Sequence, residues 1–531
     1  MEQSKFEYLQ YLYKTLKKHD IEILKHFNDE SISDKNYFFY GINNDIISNT
    51  LNVLTNYLSG NIESAGVDIS CRSIIEAFVI MQMDAREEIT DLQKKIYRYS
   101  YSFVDLDNYR ILLTKEQKED KFLKRVVKDK EIATQAMMEH FKCSKDVLKN
   151  FKASSDDPCF YLKKKWNEQF TFAFQLKKHP FRDEKTLNMY AFFSLFIHPR
   201  CEMNPSIEES IMSVRNLYID NVINIVVEYL RECKLFITKE EAAQTTDFDN
   251  DFFYNPLLFN NVNNIKCIES LFNQLISETC ILKNGDDLFT WHFIEKTKYL
   301  IIDLMISESL GYKEHVISTF KSLIEEYSVF FAVNSIEDLN EFNSIKKAFW
   351  LSSRLQLDAH FNKLGSTNDV TPEDEINKLY ESYYKNKYNL DSIDVFKNNL
   401  KNNSYYFLSN EEKSYSKYVK TLIKDLFNNE TESKDLMVLY KISKDMCHAS
   451  GYNFNATEGV VDVSYHKALF YTWKLAKHFI SNVSFTLEEH SESCDVSAVY
   501  KIVDILQMLE KQAVENVFNE YSLKVSPDDQ K

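Results

Sequence analysis

Arg72-Ser73-Ile74-Ile75-Glu76 (RSIIE) and the run Tyr190–His198 (YAFFSLFIH) are two landmarks with 126 positions between Arg72 and His198. The chain repeats both. Lys321-Ser322-Leu323-Ile324-Glu325 answers the first and Tyr440–His448 (YKISKDMCH) the second, with 127 positions between Lys321 and His448. Two separated signatures held at one spacing predict a duplicated unit. Apolar residues recur at three and four almost throughout, which predicts helices. The expected fold is therefore all-α, with two tandem helical-bundle domains related by internal duplication and a C-terminal helix. Repeat one is expected over 1–235, a connector over 236–285, repeat two over 286–485 and a C-terminal amphipathic helix over 486–531.

Composition points the same way. The 531 residues include only 8 Gly and 7 Pro, where average usage would give roughly 60 of the two together. Glycine supplies the positive φ of tight turns and proline breaks helices and central strands. A hairpin-rich fold or a glycine-rich phosphate loop needs more of both, whereas long helices joined by short polar loops do not. The net charge is −16 and the pI about 5.4. That balance opposes general attraction to nucleic acid or anionic membrane while leaving room for a local basic site. Nine cysteines without a C-x-x-C pair fit a reducing compartment. The charged N-terminus lacks the apolar run of a signal peptide, and no stretch approaches the ~20 apolar residues of a membrane span. The expected location is the cytoplasm, with no membrane partner.

Along the chain, Leu51, Leu54 and Leu58 precede a turn at Gly60 to Gly66, and Asp68 is the expected N-cap of the helix that carries Arg72. A long charged helix, or a pair, is expected from Glu88 to Leu113. Residues 114–165 show no clean apolar stripe and read as peripheral helices and loop. The landmark helix near Lys185 to His198 stops before Pro199, which disfavours helical geometry at the preceding residue. Its counterpart near Lys434 to His448 meets Gly451, a common helix terminator. Further helices are expected over 208–232 and 461–481, with one helix around Ile265 to Ile276 in the connector. Val499, Ile502, Leu506, Leu509, Ala513 and Val517 make the stripe of the terminal helix, which must dock on the body, on a protein partner or on a second copy.

The residues that could carry chemistry lie in the landmarks. Tyr190, Ser194 and His198 are spaced by four and share a helical face; the second set is Tyr440, Ser443 and His448, its serine displaced by one position. A histidine in a last helical turn feels the negative end of the helix dipole, which favours its charged form. Such a group suits acid–base work or phosphate holding, and it suits plain capping of terminal carbonyls equally. Arg72 with Glu76, and Lys321 with Glu325, stand one turn apart. They form either surface ion pairs or, turned inward, polar clusters with the Tyr/Ser/His stripes. Basic residues at Lys115, Lys118, Lys121, Lys124, Arg125 and Lys128 alternate with Glu116, Glu119 and Asp120, as on a solvated helix. His140 with Cys143, and His198 with Cys201, are isolated pairs, and zinc needs three or four ligands. No metal site is expected. The chain has no G-x-x-x-x-G-K-[ST], G-x-S-x-G, H-E-x-x-H or G-x-G-x-x-G, so no cofactor is expected either.

An Arg-Ser-x-x-Glu helix followed at this distance by Ser194-Leu195-Phe196-Ile197-His198-Pro199 resembles a bacterial helical family known only as a domain of unknown function. The second copy, through Lys321–Glu325 and Ser443–Ser450, resembles a divergent member. That family is in turn similar to the HEPN superfamily, whose helical members often act in toxin–antitoxin and antiphage systems. The resemblance implies a cytoplasmic bacterial interaction or defence-type protein that binds RNA or a nucleotide. Its catalytic candidates are His198, His448, Glu76 and Glu325, and its binding candidates are Arg72, Lys321, Tyr190, Ser194, Tyr440 and Ser443. Active HEPN ribonucleases place an arginine a few residues ahead of the histidine. None lies in Ala191–Ile197 or in Lys441–Cys447, and Lys444 lacks the planar guanidinium. The alternative is a non-catalytic, partner-binding helical protein in which the same residues are fold determinants.

Overall fold

A computed structural model of the chain describes residues 3–522 apart from 28–30, 104–105, 113–120, 149–158, 169, 179–183, 198–204, 236–255, 279–287, 364–372, 403–405, 409–414, 428–429, 448–457 and 491–496. The protein is all-α: every regular element among the described residues is helical. The helices that carry the architecture are α1 (Gln3–Phe27), α2 (Asp34–Ser59), α3 (Ala65–Ala85), α4 (Asp91–Tyr99), α5 (Leu106–Leu112), α6 (Lys121–Phe141), α7 (Glu184–Phe196) and α8 (Pro205–Glu232) in the first half. The second half holds α9 (Pro256–Glu278), α10 (Leu288–Ser309), α11 (Lys313–Asn334), α12 (Leu339–Lys363), α13 (Tyr415–Leu426), α14 (Glu430–Met446), α15 (Glu458–His490) and α16 (Ser497–Ser522).

Local chemistry sets the helix ends. The side chain of Ser33 accepts a hydrogen bond from the Asn36 amide at the start of α2, and Gly60, at φ 79°, closes that helix. Positive φ is the conformation in which glycine has no Cβ penalty. The helix bearing Arg72 starts earlier than Asp68. Ser64 is its N-cap and accepts from the Gly66 amide at 3.0 Å. Asp68 lies inside the helix, fully buried, in an ion pair of 3.1 Å with Arg215 of α8. Gly66 is tolerated in the first turn because a Cβ there would collide with the Asp303 carboxylate of α10. Glu88–Leu113 is broken into α4, a 3₁₀ turn (Ser100–Phe103) and α5, and a Thr90/Gln93 capping box opens α4. The 114–165 region holds helices as expected, but one of them carries an apolar stripe. Its helix α6 packs on α4 and buries Leu123, Val126, Ala133 and Met137. Lys128 and Asp129 interrupt that stripe, and Asp129 turns inward as the acceptor for the Tyr101 hydroxyl.

The two halves pack by the same pairings: α1 on α2, α2 on α3 and α3 on α7 in the first, α9 on α10, α10 on α11 and α11 on α14 in the second. The cores interlock. Ala65, Tyr101, Tyr109, Leu123 and Val126 belong to the apolar cluster of the second half, while Tyr312 and Leu357 belong to that of the first. Helix α5 reaches across to α14 and α15, and α12 reaches back to α7. Where α2 crosses α10, Asn56 donates to Asp303 Oδ1 at 2.8 Å and Ser307 donates to Asn52 Oδ1 at 3.3 Å. The terminal helix α16 docks on α15 and α9, burying Val499, Ile502, Leu506, Leu509 and Ala513 against the body. The side chain of Val517 lies outside the described residues. No helix among the described residues is long and apolar enough to cross a membrane.

Two predictions follow from this packing. Residues 1–255 and 256–531 expressed separately each lack side chains that complete their own core. Each fragment is expected to melt without a sharp transition, and co-expression to restore one cooperative transition and co-purification. Independent sharp melting of either fragment would refute the interlocking. The second concerns Glu308, near the end of α10, whose burial raises its carboxyl to about 7. The unfolded chain releases that proton near pH 4.5, so stability falls as pH rises from there to about 7 and levels off above. Glu308→Gln is expected to remove on the order of 2 kcal/mol of that slope. The readout is the melting temperature of both proteins between pH 5 and 8; parallel curves would contradict it.

Candidate functional site

Helices α3 and α11 meet face to face where the halves join, and each carries a landmark cation and carboxylate pointing inward. Both pairs are one helical turn apart, so the helix itself brings them together. Arg72 donates through Nε to Glu76 Oε1 at 3.0 Å, and Lys321 Nζ donates to Glu325 Oε2 at 3.2 Å. Exposures are 8% for Arg72, 0% for Glu76, 5% for Lys321 and 1% for Glu325. The surface-pair alternative is thereby excluded. Charges this deep persist only when matched by an opposite charge and further hydrogen bonds.

Those further bonds come from the landmark helices. The Tyr190 hydroxyl of α7 donates to Glu76 Oε1 at 3.0 Å, and the Tyr440 hydroxyl of α14 donates to Glu325 Oε1 at 2.8 Å. In the first half the guanidinium also lies over the Tyr190 ring, 5.8 Å from its centroid. In the second half Lys444, not Lys321, takes that position over Tyr440, at 5.9 Å. Burial works against the Arg72 charge, but Glu76, helped by Tyr190, outweighs it and holds the proton more tightly than usual. Burial first, then the Glu76 carboxylate, raises the Tyr190 phenol. Neither group is poised to exchange a proton near neutral pH.

Ser194 and Ser443 donate to the carbonyls of Tyr190 and Tyr440 in their own helices, at 2.7 and 2.8 Å. The serines inside the RSIIE-type motifs reach further. Ser73 Oγ donates to the Cys447 carbonyl at 3.4 Å, and Ser322 Oγ donates to the Ile197 carbonyl at 3.1 Å. Each half thus supplies a cap to the last turn of the other half's landmark helix, where carbonyls lack intrahelical partners. Ile69, Ile197 and Cys447 form a small apolar cluster at this point. Burial lifts the Cys447 thiol to about 11 despite the opposing pull of Lys321 and Arg72. The two polar sets thereby converge on one seam. His198 and His448 follow Ile197 and Cys447 directly in sequence and lie outside the described residues, as does the His198/Cys201 pair.

A second buried polar network beside the seam was not singled out from the sequence. His315 Nε2 donates to Asp303 Oδ2 at 3.1 Å, and its Nδ1 is hydrogen-bonded to the Ser70 hydroxyl at 3.3 Å. Thr319 and Asn56 also bond to Asp303. The order of contacts is that of a Ser–His–Asp relay, but Ser70 and Asp303 are 0% exposed, so the hydroxyl is out of reach of a substrate. Asn52 with Asn56 and Asp303 with Ser307, each spaced by four on an apolar helix, are the signal that marks this network in the sequence. Among the described residues no three His, Cys, Asp or Glu side chains converge as metal ligands. No family model matches the chain, and no curated protein or solved structure is significantly similar to it.

The polar sets yield a direct test. Glu76→Ala leaves Arg72 buried without its counter-charge and is expected to cost about 3–5 kcal/mol, and Glu325→Ala a comparable amount. Replacing both partners, as in Arg72→Met with Glu76→Leu, is expected to recover much of the loss. Denaturant midpoints of the single and double variants decide; an additive double variant would contradict the pairing.

Proposed function

We propose that this chain is the single-chain counterpart of a two-fold helical dimer: two HEPN-like units derived from one duplicated ancestor, acting in the bacterial cytoplasm as a defence-type protein that binds RNA or a nucleotide at the seam. The observation that carries this reading is the exchange of caps, Ser73 to the Cys447 carbonyl and Ser322 to the Ile197 carbonyl. A symmetric dimer places the same patch of each subunit against its mate, and these reciprocal bonds follow that rule within one chain. His198 and His448, next in sequence, are the acting groups, as general acid and base or as holders of a phosphate. Glu76, Glu325, Tyr190 and Tyr440 are positioning residues, because each is engaged inside its own buried set. Arg72 and Lys321 contribute field rather than direct contact, and Ser194 and Ser443 stiffen the helices that deliver the histidines.

A second reading has a specific observation behind it. Each landmark cation already has a carboxylate and a nearby tyrosine, so the described part of the seam offers a ligand little net positive charge. On that basis the protein is a non-catalytic binder of another protein, and the two polar sets serve only to hold its shape.

The readings separate on His198→Ala and His448→Ala. The seam function predicts loss of a cellular phenotype, toxicity or protection against phage, with an unchanged melting temperature. It also predicts that the purified wild-type chain binds RNA or a nucleotide and that the double variant does not. Retention of phenotype and binding in the double variant would reject it. A fall of several degrees in melting temperature would assign the histidines to the fold.

A further inference from the structure

The matching of the two halves breaks down beside α8. That helix packs on α2 and α3 as α15 packs on α10 and α11, and side-chain bonds set the register between them. Lys185 Nζ of α7 donates to Asn221 Oδ1 of α8 at 2.7 Å, and Lys467 Nζ of α15 donates to Asp435 Oδ2 of α14 at 2.8 Å. Lys185 and Asp435 each stand five residues before a landmark tyrosine, so Asn221 and Lys467 are counterparts. Ten residues further on, Arg231 answers Lys477. In the second half Lys477 donates to Glu510 of α16, the helix seated on α15 and α9. In the first half α8 and α1, the counterparts of α15 and α9, border an open groove of about 490 Å³. Tyr8, Met189, Ile225 and Val227 supply its apolar lining. Arg231, exposed at its edge, has no carboxylate partner among the described residues.

We infer that this groove is the seat of an amphipathic helix from a partner protein, laid along α8 and α1 as α16 lies along α15 and α9. Its apolar face covers Tyr8, Ile225 and Val227, and a carboxylate placed like that of Glu510 meets Arg231. Helix-in-groove recognition works through apolar anchors at helical spacing, and a charge pair at the rim sets orientation and register. The charged lining holds Lys185 and Arg231 against Glu228 alone, which favours an acidic helix. A helix with its side chains is about 10–12 Å across, so the groove takes the anchors of one face while the helix rides outside it. The occupant is another protein rather than a second copy, because α16 already buries its own apolar stripe, Val499 to Ala513, against its own body. From the proposed function this inference takes only the matching of the halves, and it makes no use of the histidines.

The probe is a fluorescent peptide of residues 497–522, this chain's own example of such a helix, titrated with the full chain and read by anisotropy. Saturable binding is expected. Arg231→Glu and Asn224→Glu, both at exposed positions of α8, are expected to weaken it about tenfold each with the melting temperature unchanged. A peptide carrying Glu510→Arg is expected to recover the loss on the Arg231→Glu chain. The chain alone is expected to sediment as a monomer; a dimer that Arg231→Glu dissociates would give the groove to a second copy and overturn the partner assignment. Absence of binding overturns the inference. So does binding that neither α8 variant alters, since the peptide would then be displacing the resident α16 from its own seat. The His198→Ala/His448→Ala double variant is expected to bind the peptide as the wild type does, so this result stands or falls separately from the seam.

Discussion

The structure depends on how it buries charge. Moving a guanidinium, an ammonium or a carboxylate from water into the interior costs several kcal/mol each, and their attraction repays this only when geometry is good and the remaining lone pairs are satisfied. Here the helix sets the geometry, because a cation four residues before a carboxylate needs no tertiary fold to find it. The tyrosine then has to come from elsewhere. Tyr190 and Tyr440 lie 114 and 115 residues beyond the glutamates they bond. Placing them fixes α7 against α3 and α14 against α11, and the ends of α7 and α14 are carried to the seam as a consequence.

The seam in turn decides what counts as a domain. Serines in α3 and α11 reach across to the opposite landmark helix, and Asn52, Asn56, Asp303 and Ser307 exchange hydrogen bonds where α2 crosses α10. Aromatic side chains follow the same exchange, Tyr101 and Tyr109 into the second core and Tyr312 into the first. The sequence intervals 1–235 and 286–485 therefore describe two sets of helices that share one interior. The close approach of Asp303 to Gly66 shows how tightly they are joined, since even one methyl group has no room there.

Much of this was legible before any coordinates. The scarcity of glycine and proline implies helices, and the landmarks place α7 and α14 to within a few residues and mark the helices α3 and α11. The apolar neighbours Ile74, Ile75, Leu323 and Ile324 suit ion pairs that face inward, as both do. What escaped has a common cause. Ser73 and its acceptor are 374 residues apart, and Ser322 and its acceptor 125 apart, so no local pattern joins them. Asp68 looked like a cap because aspartate favours that position, yet Ser64 took the role and Arg215, 147 residues on, claimed the carboxylate. In α6 the inward turn of Asp129 towards Tyr101 disguised an apolar face as a polar one.

The two polar sets are alike in plan and different in chemistry. In the first half one arginine does two things: it donates to Glu76 and it covers the Tyr190 ring. In the second the tasks are divided, with Lys321 on Glu325 and Lys444 over Tyr440. A planar guanidinium can serve a carboxylate and a ring at once, whereas an ammonium is a compact point charge that serves one well. Where lysine stands on the carboxylate, a second cation covers the ring, and Lys444 supplies it from α14. The first half alone adds the buried Arg215–Asp68 pair, with Arg215 stacked 4.6 Å from the Phe196 ring in the last turn of α7. Two arginines therefore brace the end of α7, and two lysines lie along α11 and α14.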